Sequence, residues 1–200
     1  MSISAADVKA LRDRTGAAMM DCKAALTESE GDVDRAIEIL RVKGQASAAK
    51  REGRGTDEGV VAAYIHANDK VGAMVEVQCE TDFVARNEDF KAFAYEVALH
   101  VAATSPRYVS AEEIPAEERE AEKRVFEEKA REDGKPDNVV EKIVEGQLSK
   151  WASEVALLDQ AHVNADKHDS KSIEELRQAL AAKTGENIRI ARFSYFRVGG

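Results

Sequence analysis

The segment Ile188-Arg189-Ile190-Ala191-Arg192-Phe193-Ser194-Tyr195-Phe196-Arg197-Val198 constrains this chain most, because its β-branched and aromatic residues with interleaved charges suit a strand. Its partners lie far upstream. Two further strand-like runs, Val60 to His66 and Val71 to Val77, flank the turn-rich Ala67-Asn68-Asp69-Lys70, which is the pattern of a hairpin. A sheet made of these three runs must join the end of the chain to its first half, with everything between them folded as helix. Hairpin, helices, then a final strand implies an α+β fold with a small three-stranded antiparallel sheet and its helices on one side.

Helical periodicity dominates elsewhere. Residues 4 to 44 divide into three short segments. Ser4 caps the first, with Val8 and Leu11 on one face and Gly16 past its end. Met19, Met20, Cys22, Ala25 and Leu26 populate the second, which stops before Gly31. Asp32 caps the third, where Val33, Ala36, Ile37 and Leu40 recur at helical spacing up to Gly44. Residues 1–52 therefore read as a three-helix module. The glycine-rich 53–59 follow as a linker, and 60–200 as the α+β core.

Within the core, Asn87 can cap a helix whose stripe is Phe90, Phe93, Ala94, Val97 and Val101, halted by Ser105-Pro106. Residues 116 to 132 are mostly Glu, Lys and Arg, so that helix is expected to be solvated as part of a helical hairpin or arm around 110–158. The series Val140, Ile143, Val144, Leu148, Trp151, Val155 and Leu158 is expected to form the major core helix, and a last helix to run from Ser172 to Lys183.

Charge and composition exclude several classes. A net charge of −9 repels phosphate backbones, so nucleic acid is not expected as a direct ligand. Cys22 and Cys79 are far apart, which suits a reducing, cytoplasmic setting better than a disulfide framework. No run approaches the ~20 apolar residues of a membrane span, and the N-terminus lacks a signal-peptide pattern. Phosphate-binding loops, nucleophile elbows and HExxH are missing from the sequence, so no enzyme, cofactor or metal is expected. His162, Asp166, His168 and Asp169 are the nearest approach to a ligand set, and they read as a solvated loop. His66 and His100 read as structural, and Cys22 and Cys79 as small buried hydrophobes.

Two features resist a purely structural reading. Met19 and Met20 are adjacent and point ~100° apart on a helix, so either loops cover both or one faces a partner. In Cys79-Glu80-Thr81-Asp82-Phe83-Val84-Ala85-Arg86-Asn87, Thr81 or Asp82 can cap a short turn that carries Phe83. Such an aromatic is either a staple between strand and helix or a probe for another molecule.

The stretch Val75-Glu76-Val77-Gln78-Cys79-Glu80-Thr81-Asp82-Phe83-Val84-Ala85-Arg86-Asn87 closely resembles the signature of elongation factor Ts, the family of guanine-nucleotide exchange factors for the translation GTPase EF-Tu. Leu11 to Leu26 resembles the family's second signature, and Gly185 to Phe193 its C-terminal one. Ala18 replaces a common glycine, and Ala161-His162 a usual proline-aromatic pair. The resemblance implies a ubiquitin-associated-like N-terminal module that contacts EF-Tu through Arg12, Met19, Met20 and Lys23. It implies that Thr81, Asp82, Phe83 and Val84 insert near the Mg²⁺ and phosphate site to release GDP. It also implies one core subdomain rather than two, a homodimer formed through the sheets, and a 2:2 complex with EF-Tu.

Overall fold

The structure, a computed structural model, describes residues 3–199. Its helices are α1 (Ala5–Thr15), α2 (Met19–Glu28), α3 (Val33–Ala49), α4 (Asp82–Ala85), α5 (Glu88–Thr104), α6 (Ala116–Glu132), α7 (Asp137–Val155), α8 (Ala165–His168) and α9 (Ile173–Thr184). Its strands are β1 (Glu58–Ile65), β2 (Val71–Cys79) and β3 (Arg189–Arg197), paired as an antiparallel sheet in the order β1-β2-β3. The fold is α+β as the sequence implies, and the C-terminal strand pairs with the second arm of the hairpin.

Chain contacts group into two units. The first comprises Met1–Val60, Val77–Phe93 and Glu175–Arg189. Its helical core is Val8, Leu11, Cys22, Ala25, Leu26, Ala36 and Leu40, around which Ile3, Val33, Ile37 and Ile39 pack. Both ends of α1 and the start of α3 have a clear chemical cause. Ser4 and Asp7 form a reciprocal capping box on α1, and Gly16 ends that helix in the left-handed conformation at φ 69°. Asp32 accepts the Asp34 and Arg35 amides at 3.0 Å to start α3. That helix then runs through Gly44 instead of stopping there. One interior glycine costs about 1 kcal/mol, and the alanines that follow it are the best helix formers. Gly59 is needed for a different reason: a Cβ there would sit 2.2 Å from the Val77 carbonyl oxygen.

The second unit comprises Val61–Glu76, Ala94–Glu174 and Ile190–Gly200. Here α6 and α7 pack as a hairpin around Ala130, Val140 and Val144, with Phe126 and Leu148 at the margin. Val125, on the charged helix, stays exposed. The expectation that Val140 to Leu158 forms the major core helix needs correction. Ile143, Leu148 and Trp151 are only half-buried, and Leu158 lies in a 3-10 turn beyond the end of α7. The buried helix is α5, where Phe90, Ala94, Val97, Ala98, His100 and Val101 are all at 1% exposure or less. Its alanines permit close packing on that face, whereas α7 carries Glu or Lys in nearly every turn.

The two faces of the sheet differ. Ala73, Val75, Val77 and Cys79 of β2 are buried on one side. On the other, Val61, Ile65, Met74 and Phe196 are exposed, in register with the Glu76 to Arg192 ion pair at 2.6 Å.

Candidate functional site

The chain leaves β2 at Cys79 and enters the four-residue helix α4 after Glu80 and Thr81. Thr81 is extended, at φ −129° and ψ 155°, and its hydroxyl accepts the Val84 amide at 3.5 Å, the usual work of an N-cap. Asp82 starts the helix and pairs with Arg86 one turn on at 3.0 Å. Phe83 comes next and is 82% exposed, whereas Ala85 beneath it is buried. A staple between strand and helix would be covered, so this exposure argues against that reading of Phe83. Asn87 then accepts the Asp89 amide at 2.8 Å and begins α5.

The turn is braced from the far end of the chain. One carboxylate oxygen of Glu186 accepts the backbone amides of Glu80 and Thr81 at 3.0 and 3.1 Å. The other accepts the Thr81 hydroxyl at 2.6 Å. In return, Glu80 accepts the Asn187 amide at 2.6 Å, and the Asn187 side chain donates to the Arg54 carbonyl at 3.0 Å. Sequence reasoning missed Glu186 and Asn187 as members of the site. The available signal was an acid and an amide between Gly185 and the strand, at the point where β3 meets the end of β2.

Cys79 belongs to the brace rather than to chemistry. It is fully buried, its thiol donates to the Thr81 carbonyl at 3.3 Å, and burial with the nearby Glu186 charge pushes its pKa up to about 11. At neutral pH it is a thiol, not a nucleophilic thiolate.

The other expected site residues lie in the same unit, on its N-terminal helices. Arg12 on α1 and Lys23 on α2 are exposed. Met19 is 45% and Met20 73% exposed, so neither is covered by loops as one reading allowed.

The histidines require the largest correction. His162 is 2% exposed, so it is not the solvated loop residue expected, although Ala161 and Val163 to Lys167 around it are exposed. It stacks on His100 at 5.4 Å between ring centroids and meets His168 at 4.1 Å. Glu96, absent from the sequence-level set, lies 3.4 Å from His162 and 3.5 Å from His168, whereas Asp166 and Asp169 are not in the group. The donor atoms of Glu96, His162 and His168 fall within 4.8 Å of one another, which is close enough to consider a metal.

The hydrogen bonds argue against that use. The Asn164 amide donates to Nδ1 of His162 at 3.0 Å, so the neutral ring carries its proton on Nε2, facing Glu96. Lys167 donates to the other Glu96 oxygen. The Val163 amide likewise donates to Nδ1 of His100 at 3.0 Å, and its Nε2 donates to Gln160 at 2.9 Å. The cluster is satisfied by its own protons. Burial opposes the Glu96 charge, but bonds from Lys167 and His168 hold its carboxyl below the usual range. Burial lowers His162, helped by His168, and takes His100 down to about 4.

The fold and the site define a small α+β protein that displays an aromatic on a braced turn. The family model described as elongation factor TS matches residues 4–171. Proteins named elongation factor Ts are similar over the full chain: that of Geobacter sulfurreducens is 50% identical over 199 residues, covering 100% of this chain and 91% of its own length. The Herpetosiphon aurantiacus protein is 53% identical, with 100% and 99% covered. The chain belongs to the elongation factor Ts family.

The histidine pair generates a pH prediction. The unfolded rings titrate near 6.5, whereas folded His100 resists protonation down to about 4, so the unfolded state binds more protons in that interval. The contribution of neutral, buried His100 to stability is therefore full above pH 6.5 and declines as pH falls toward 4. Urea midpoints measured across this range should fall more steeply for the parent than for His100→Gln, and parallel curves would remove His100 as the cause.

Proposed function

We propose that this chain is a guanine-nucleotide exchange factor of translation elongation, which binds EF-Tu·GDP and promotes release of GDP so that GTP can rebind. The observation that carries the reading is Phe83, 82% exposed on a helix of four residues and held at a fixed place by bonds on both flanks. A large aromatic left in water by a rigid turn is a preorganised anchor, because little side-chain or backbone entropy is lost when it enters a pocket.

Thr81, Asp82, Phe83 and Val84 act together as a wedge near the Mg²⁺ and phosphate site. Phe83 enters a groove of the GTPase and displaces the elements that hold Mg²⁺ and the β-phosphate. Asp82, tethered to Arg86, sets the orientation of the segment. No bond is made or broken, so the factor works by coupling: whatever it takes from GDP affinity, GDP takes from its own. Each ~1.4 kcal/mol of such coupling is roughly tenfold in affinity. Arg12, Met19, Met20 and Lys23 form the second contact. The thioethers supply adaptable apolar surface, and the cations flank it.

The open sheet face supports a homodimer, each copy presenting one wedge in a 2:2 complex. Val61, Ile65, Met74 and Phe196 would otherwise leave an apolar patch in water. The net charge of −9 agrees with a protein rather than a nucleic-acid partner. Among the described residues no helix is long and apolar enough to cross a membrane.

In stopped-flow release of fluorescent GDP from EF-Tu, Phe83→Ala should lose at least about tenfold of the stimulated rate at saturation, as expected of a truncated anchor. Met19→Ala combined with Met20→Ala should raise the factor concentration needed and leave the saturated rate near the parent's. A parental rate from Phe83→Ala would refute the wedge. In sedimentation velocity, Phe196→Glu should convert dimer to monomer, and an unchanged profile would refute assembly through this face.

A further inference from the structure

The turn that carries Phe83 ends one strand and begins a helix, so nothing in the backbone ladder fixes its direction. Beyond Cys79 the sheet gives it no partner carbonyls, and α4 is too short to be stable alone. Something outside the segment must hold Glu80 and Thr81 in place. Among the described residues one side chain bonds both of their amides, and it lies 105 residues from Thr81.

We infer that Glu186 is the positioning residue of the Phe83 turn, its carboxylate standing in for the strand carbonyls that β3 cannot yet offer. It binds three donors on two successive residues: the Glu80 amide at 3.0 Å, the Thr81 amide at 3.1 Å and the Thr81 hydroxyl at 2.6 Å. Two consecutive amides on one oxygen fix the peptide plane between Glu80 and Thr81. The hydroxyl bond on the other oxygen fixes the Thr81 rotamer, and that rotamer aims the Thr81 oxygen at the Val84 amide. A carboxylate is suited to this work because it only accepts, and because charge-assisted bonds are shorter and stronger than neutral ones.

The arrangement is reciprocal. Glu80 accepts the Asn187 amide at 2.6 Å, so residues 80–81 and 186–187 exchange side-chain-to-backbone bonds in both directions. Asn187 in turn donates to the carbonyls of Glu52 and Arg54 at 3.4 and 3.0 Å, and Arg54 reaches Glu80 at 3.4 Å. Three short segments, 52–54, 80–81 and 186–187, meet where one exposed aromatic must be aimed. Among the described residues the Glu186 carboxylate takes its hydrogen bonds from Glu80 and Thr81, so its effect on a bound partner passes through Thr81 to Phe83.

The inference rests on the wedge reading of Phe83, and the test separates the two. Hydrogen exchange on the free protein should show the Glu80 and Thr81 amides exchanging at least about tenfold faster in Glu186→Ala, with the Leu26 amide in the helical core unchanged. Glu186→Gln keeps one acceptor oxygen for the two amides and should stay within about threefold of the parent, which also serves should the alanine variant not fold. With EF-Tu, Glu186→Ala should slow saturated GDP release about tenfold in the parent background and less than about twofold in the Phe83→Ala background. Unchanged exchange at Glu80 and Thr81 would overturn the inference, as would equal losses in the two backgrounds, since either means Glu186 does not act through Phe83. Faster amide exchange together with a parental release rate from Phe83→Ala would leave the clamp standing and remove the wedge.

Discussion

The pairing of β3 with β2 is the constraint on which the rest of the structure depends. It joins β3 to the hairpin across the whole span from Cys79 to Arg189, a non-local closure. Once β3 is in place, Glu186 and Asn187 stand opposite the end of β2 and the Phe83 turn gains its brace. Before that, residues 80–87 have only a capping threonine, an Asp82 to Arg86 pair and an asparagine. The site therefore exists only when the whole sheet does, which ties its geometry to global folding rather than to local sequence.

Exposure follows from the same economy of elements. A three-stranded sheet has helices enough for one face, so Ala73, Val75, Val77 and Cys79 are covered and Val61, Ile65, Met74 and Phe196 are not. The N-terminal helices enclose a core of small and medium residues, Val8, Leu11, Cys22, Ala25, Leu26, Ala36 and Leu40, and Met19 and Met20 lie outside it. Met19, Met20 and Phe83 are left outside for different structural reasons, and the proposed exchange function uses all three.

Local rules carried most of the element boundaries. Ser4, Asp32 and Asn87 act as the caps their side chains imply, and Gly16 ends α1 in the conformation that glycine favours. Reading Gly44 as a stop failed because one unfavourable residue is outweighed by alanines after it. Ranking α7 as the core helix failed because spacing reports which face is apolar, not how deeply that face is buried. The turn from Thr81 to Val84 was legible as a motif, but its brace was not, since Glu186 is a contact across most of the chain. His162 was misread for the same reason: its partners, Glu96 and His100, lie on a helix more than sixty positions earlier. It fills its buried place with a ring whose two nitrogens are both engaged.

The central claim is that contact with the factor and retention of GDP oppose each other on EF-Tu. Calorimetric titration of the protein into EF-Tu with and without bound GDP measures that opposition directly. The account predicts tighter binding to the nucleotide-free form, by the same factor by which the protein weakens GDP affinity in the converse titration. Equal affinities for the two forms would contradict it.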